Sequence, residues 1–189
     1  MSFRIRRFSP PQNTSSLPDS DNAHMLHSPP DHGWVKAANM LARSWLHQTS
    51  LRPAFEPLPC IIDLRIGQIR PIADFLVIVD VVDDGTDYRY IAVARKIIKD
   101  VNRDFTGECI SEGIRRNVAT HGTSGHHGRM RMFFDRLRQV PEPTDAFEFF
   151  RRPTGDYYRA CFRACPYSLE GSHVDMIICA TTIGIYQFN

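Results

Sequence analysis

The segment Phe75-Leu76-Val77-Ile78-Val79-Asp80-Val81-Val82 constrains this chain more than any other, because both of its alternating faces are apolar. Successive side chains on a strand point to opposite sides, so Phe75, Val77, Val79 and Val81 line one face and Leu76, Ile78 and Val82 the other. A strand apolar on both faces has to be covered on both. The segment His173 to Tyr186 repeats the pattern, with Val174, Met176, Ile178 and Ala180 on one face and Ile177, Cys179, Ile183 and Ile185 on the other. A sheet that holds two such strands needs a layer of structure on each side.

The rest of the chain supplies candidates for those layers. Asp83-Asp84-Gly85-Thr86-Asp87 has hairpin turn chemistry, and Tyr88-Arg89-Tyr90-Ile91-Ala92-Val93 returns as a second strand. Ala94 to Val101 reads as a short helix, Arg103 to Gly113 as turns and short helical pieces, and Gly122-Thr123-Ser124-Gly125 as a loop. From Arg129 to Arg138 the spacing predicts an amphipathic helix, with Met130, Phe133, Phe134 and Leu137 at i, i+3, i+4 and i+7. After Pro141 and Pro143, the segments Ala146–Arg151, Tyr157–Cys165 and His173–Tyr186 read as strands, the last two joined by a turn at Leu169-Glu170-Gly171-Ser172. Strands at both ends of a helical middle predict an α+β fold with a five-stranded antiparallel sheet and helices on one face. The alternation of strand and helix that builds a parallel nucleotide-binding sheet is absent.

The second layer is expected from further upstream. Trp34, Ala38, Leu41 and Trp45 fall at i, i+4, i+7 and i+11 and form one stripe of a helix, widened by Val35, Ala42 and Leu46. This helix is predicted to pack on the remaining sheet face or against a second subunit. Pro53, Pro57 and Pro59 end helical structure. Residues 1–30 read as a disordered Pro/Ser-rich tail, 31–64 as the helix with its proline-rich linker, and 65–189 as the domain proper. A formal net charge of +2 gives no argument for nucleic acid, and Arg4, Arg6 and Arg7 read as solvated charges. Five cysteines make no complete disulfide framework and fit a reducing, cytoplasmic setting. No run reaches the roughly 18 apolar residues that a membrane span needs.

The order helix, two strands, helices, three strands resembles that of PAS domains. More closely, the chain resembles the divergent, stand-alone PAS proteins of bacteria. Those carry a tryptophan-bearing N-terminal helix, a proline-containing linker, a Phe/Tyr-Arg-Tyr strand and a Gly-Arg-Asp-Leu-Thr-Gly segment. The matching stretches here are Ala37–Trp45, Arg52–Asp63, Tyr88-Arg89-Tyr90-Ile91-Ala92-Val93 and Asn102-Arg103-Asp104-Phe105-Thr106-Gly107. The family's Val-Gly-Thr/Ser after the second strand is replaced by Val93-Ala94-Arg95, and the segment's first glycine by Asn102. The loss of these glycines suggests an altered backbone path beside the usual ligand cavity.

The resemblance implies a sensory or docking domain and no catalysis. With no output domain on this chain, a signal has to pass to a downstream signalling protein. In one use of the fold, a small molecule occupies an apolar cavity lined by Phe105, Met130, Phe133 and Phe134, with Tyr90 or a histidine as polar handle. In the other, side chains fill the cavity, and the outer sheet face or the stripe of Trp34, Ala38, Leu41 and Trp45 docks a partner or a second copy in a homodimer. The second use, with an optional ligand, is the reading preferred from the sequence. No cofactor is required. Haem or another metal on His121, His126 and His127 is an alternative, because some PAS domains ligate haem from this region. Flavin photochemistry is excluded: the light-sensing relatives carry Asn-Cys-Arg-Phe-Leu-Gln, of which Glu108-Cys109-Ile110-Ser111 keeps only the cysteine. A small α+β enzyme with an Asp/Tyr pair in an acid/base pocket is the catalytic alternative.

Overall fold

The computed structural model of the chain describes residues 4–7, 31–54, 56–121, 125–151 and 157–186. The sheet forms as the alternating faces require. Strands β2 (Leu76–Val82) and β3 (Asp87–Val93) make the first hairpin. Strands β4 (Thr144–Arg151), β5 (Tyr157–Tyr167) and β6 (Met176–Tyr186) follow the helical middle. All neighbours are antiparallel, in the order β4-β5-β6-β2-β3. The last strand therefore inserts between the two hairpins. The hairpin turn at Asp83-Asp84-Gly85 is left-handed throughout (φ 46°, 52° and 85°), a conformation that aspartate tolerates better than most side chains and glycine adopts freely.

A sixth strand corrects the sequence reading. Within the segment expected to be a disordered tail, Arg4–Arg7 form β1 and pair antiparallel with Thr144–Phe147. An edge strand presents unpaired backbone groups, and β4 offers them to any extended segment within reach. The rest of the expected tail lies outside the described residues, as does the loop Gly122–Ser124.

Register decides which side chains share a face. Val79 stands between Tyr90 and Ile177, and Cys179 between Val77 and Ala164. These residues make the inner face, on which lie helices α3 (Arg95–Val101), α4 (Ile110–His121) and α5 (Gly125–Gln139). The stripe predicted in α5 is its buried side: Met130, Phe133, Phe134 and Leu137 are all in the core. Arg163, Cys165, Ile178 and Ala180 belong to the outer face. Helix α1 (His32–Ser50), capped at its start by Asp31, crosses β5 and β6 there. Both faces of the central strands are thus covered, and the outer layer comes from the chain itself rather than from a second subunit. A short helix α2 (Ile66–Ile69) and a 3-10 segment (Arg70–Phe75) lead from the linker into β2.

Helix α4 exceeds what the sequence reading placed there, which was turns and short helical pieces ending at Gly113. Its apolar positions Ile110, Ile114 and Val118 form a single narrow row, and Gly113 interrupts it. Asp87 holds its first turn from outside: its carboxylate accepts from the Ser111 hydroxyl (2.5 Å) and backbone N–H (3.1 Å). Asn102 takes the place of the glycine that the resemblance leads one to expect. The residue is left-handed (φ 55°) and closes α3, a conformation asparagine adopts more readily than other non-glycine residues.

The α5 stripe gives a direct check. Leu137 is fully buried and Met132, on the same helix, is 72% exposed. Leu137→Ala is expected to lower unfolding free energy by about 2–5 kcal/mol, and Met132→Ala by no more than about 0.5 kcal/mol, as read from urea titrations.

Candidate functional site

The residues expected to line a cavity do meet on the inner face, and they meet each other. The Tyr90 and Phe105 rings stand edge to face at 4.7 Å, while Phe133 and Phe134 (5.6 Å) and Tyr88 and Phe134 (5.2 Å) form tilted pairs. Tyr90, Met130, Phe133 and Phe134 are buried, and Phe105 is packed against the same core. These aromatics on the helical side of the sheet thus pack on one another and on the core. An open groove of about 450 Å³ beside the β2–β3 turn is lined by Val81, Asp84, His173, Val174 and Asp175, and by none of these five.

Where α4, α5 and β4 converge there is a polar cluster that the sequence reading passed over. Glu148 is on the inner face of β4, with its side chain only 3% exposed. His126 and Arg129, one turn apart at the start of α5, both grip its carboxylate. Burial alone raises a carboxylate's pKa, yet these two partners hold Glu148 below the ordinary range. Beside it, Glu108 is bracketed by Arg103 (2.5 and 2.6 Å) and Arg116 (3.0 Å) and is likewise held down. Glu148 alternates with Phe147 and Phe149, so the strand pattern alone would turn it outward, and only the register places it inward beside Ala146, where a charge requires a partner.

His127 belongs to this cluster in a different way. Its Nδ1 lies 3.1 Å from the Asn117 amide, and its ring lies against Gly113, where any Cβ would overlap it. That contact explains the glycine in the interior of α4. Burial pushes the His127 pKa down to about 4, and His126, Arg103 and Arg116 add to the effect while Glu108 opposes it. His126 and His127 stack edge to face at 5.5 Å, each turned to a different protein partner. Among the described residues no group of three or more His, Cys, Asp and Glu could hold a metal ion. The side chain of His121 lies outside the described residues.

The remaining expectations are placed as follows. Ala38, Leu41 and Trp45 are buried, and Trp34 is half-buried, all against the chain's own sheet. The Trp34 indole donates to the Ala180 carbonyl (2.9 Å) and the Trp45 indole to the Pro166 carbonyl (2.5 Å). The proposal that this stripe forms a free docking surface is corrected by these contacts. An Asp/Tyr pair exists, since the Tyr88 hydroxyl donates to Asp135 (2.7 Å). Tyr88 is fully buried, and burial followed by Asp135 raises its pKa, so the pair fastens α5 to β3 with the phenol protonated at neutral pH. The five cysteines are free, and burial pushes the Cys179 thiol up to about 12. Comparison with protein-family models, curated proteins and solved structures finds no match to this chain.

His127 carries a pH dependence whose sign follows from its depressed value. Between about 4 and its ordinary 6.5, the unfolded chain binds a proton here that the folded chain refuses. The residue's contribution to stability is therefore complete above about pH 6.5 and is lost as the pH falls toward 4. Urea midpoints measured from pH 7 to about 4.5 are expected to fall more steeply for the native chain than for His127→Gln. Parallel slopes would assign the acid sensitivity to other groups.

Proposed function

We propose that this chain is a PAS-type sensory or protein-interaction domain that catalyses nothing itself and passes its signal to a partner protein. One observation carries the reading. From α1 onward, leaving aside the short α2, the order of one helix, two strands, three helices and three strands is laid out as one open antiparallel sheet, with α3–α5 on one face. That is the arrangement the Tyr-Arg-Tyr and Arg-Asp-Phe-Thr-Gly stretches imply by resemblance. The Tyr88–Val93 stretch is β3 itself, and Gly107 N–H donates to the Tyr90 carbonyl (2.6 Å), so the two stretches meet at the edge of the sheet.

Of the two uses of such a fold, the packing of Tyr90, Phe105, Phe133 and Phe134 against one another and the core supports docking. Exposed apolar side chains gather at one corner. Leu46 and Leu51 at the end of α1, Ile62 and Leu169 are all exposed. The Arg52–Asp63 ion pair (2.5 Å) and the Ile61 N–H to Ser168 carbonyl bond (2.9 Å) hold these segments together. This corner replaces the buried stripe of α1 as the surface for a partner or a second copy. Tyr90 favours ligand binding as a second reading: its ring is buried on the inner face, and burial, with Cys179 and Glu148 adding, raises the pKa of its phenol. Among the described residues no helix is long and apolar enough to cross a membrane. The free cysteines support a cytoplasmic setting.

Two measurements test the proposal. The purified protein is expected to be colourless and to release no stoichiometric small molecule in denaturing mass spectrometry; a Soret band or a defined ligand would move the function to ligand sensing. Sedimentation velocity over a concentration series is expected to show self-association that the Leu51→Ser, Ile62→Ser double variant abolishes without changing Tm. A chain that stays monomeric at high concentration sinks the homodimer and leaves the corner to another protein.

A further inference from the structure

The chain closes one edge of its sheet and leaves the other half open. At β3 the loop after α3 covers the edge: Gly107 N–H donates to the Tyr90 carbonyl (2.6 Å), Tyr90 N–H donates to the Glu108 carbonyl (3.1 Å), and Arg89 bridges to Cys109. At β4 the cover is partial. Strand β1 pairs with Thr144–Phe147, and among the described residues no strand lies against Glu148–Arg151 on that side. Unpaired backbone groups on an edge are a template for any extended chain.

What this edge accepts is visible in β1. Its sequence is Arg-Ile-Arg-Arg, and the register sets Arg6 opposite Asp145 and Ile5 opposite Ala146. Residues 142–149 carry Glu142, Asp145 and Glu148 and no basic residue; Glu142 is exposed, while Arg163 holds Asp145 (2.5 Å). Beyond the reach of β1 the outer side of β4 turns aromatic. Phe147 and Phe149 are half-buried and stand edge to face at 5.9 Å, with the Arg159 guanidinium 5.2 Å from the Phe147 ring. A basic stretch therefore suits the first half of the edge and an apolar one the second.

We propose that the outer edge of β4 docks an extended segment of another protein, basic along Thr144–Phe147 and apolar along Glu148–Arg151, and that β1 occupies half of this site in cis. Length decides the occupant. The β1 of a second copy brings the same four residues, so it gains nothing over the tethered strand, which acts at an effective concentration of about 1 mM. A segment that runs on past Phe147 pairs with all eight residues of β4 and adds main-chain bonds that β1 lacks. Its side chains at alternate positions then supply specificity. The site rests on the sheet edge alone, apart from the sensory reading and from the corner that holds Leu51 and Ile62.

The test uses the full chain and a fluorescein-labelled peptide, Val-Thr-Val-Thr-Arg-Ile-Arg-Arg, written to run antiparallel to β4 and read by fluorescence anisotropy. A second peptide with proline at its third and sixth positions keeps the charge and cannot complete the ladder. The native chain is expected to bind the first peptide at least ~10-fold more tightly than the second. Ile5→Pro, Arg6→Pro removes two successive β1 N–H groups, one of which faces β4 in any antiparallel register. That double variant is expected to bind the first peptide ~10-fold more tightly than the native chain does, with Tm unchanged. Its Thr144–Phe147 amides are expected to exchange faster, and the peptide to restore their protection. Leu51→Ser, Ile62→Ser is expected to bind as the native chain does. Equal affinity for the two peptides, or of the native and proline chains for the first, overturns the site. A dimer that only the proline variant loses gives the edge to a second copy and overturns the partner.

Discussion

The sheet depends on β6. Eleven of its residues pair with β5 and five with β2, while among the described strands the β2–β3 hairpin and the β4–β5 pair touch each other through no ladder of their own. Remove β6 and the molecule separates into two small antiparallel pieces. The same strand is also the floor of both layers. Ile177 and Cys179 face the inner helices, and Ile178 and Ala180 face α1, all of them fully or almost fully buried. An antiparallel sheet often leaves one face wet; this one cannot, because its central strands carry no polar face to present.

The two layers are joined to that floor by different physics. On the inner side, aromatic rings interlock and charged groups close the margins: Tyr88 with Asp135, Arg138 with Asp84, and Glu148 with His126 and Arg129. On the outer side, alanines let α1 come close, and two indoles set its position. A dense, ion-paired inner layer suits a fixed scaffold.

How much of this was legible in the sequence varied with the kind of signal. The strands were plain because alternation and turn chemistry agree, and α5 because its stripe is four large residues wide. The stripe of α1 was plain too, but periodicity says only that a helix face is buried, not what buries it. That is why Trp34, Ala38, Leu41 and Trp45 were equally compatible with a partner and with the chain's own sheet. Helix α4 was obscured because its row of Ile110, Ile114 and Val118 is one residue wide and its interior glycine argues against a helix. Gly113 makes sense only beside the His127 ring, a contact between two helices that no local window contains. The Glu148 cluster shares this difficulty: each member is an ordinary surface residue type, and only the fold brings α5 and β4 together. Strand β1 was hidden for the opposite reason, since four residues pairing with an exposed edge need no pattern of their own.

The central place of β6 has a consequence for synthesis. It leaves the ribosome after every strand it must join, so the nascent β2–β3 hairpin waits with the apolar edge of β2 open. The turn through Leu169–Asp175 is short, and β6 can zip onto β5 as soon as it emerges. Only then does the β5–β6 pair reach back about a hundred residues to find β2, the step with the largest loop to close. Until that step, an unpaired edge of Leu76, Val77 and Val79 is available to any other extended chain. For this protein the hazard of misassociation therefore sits in one interval, between translation of β2 and arrival of β6.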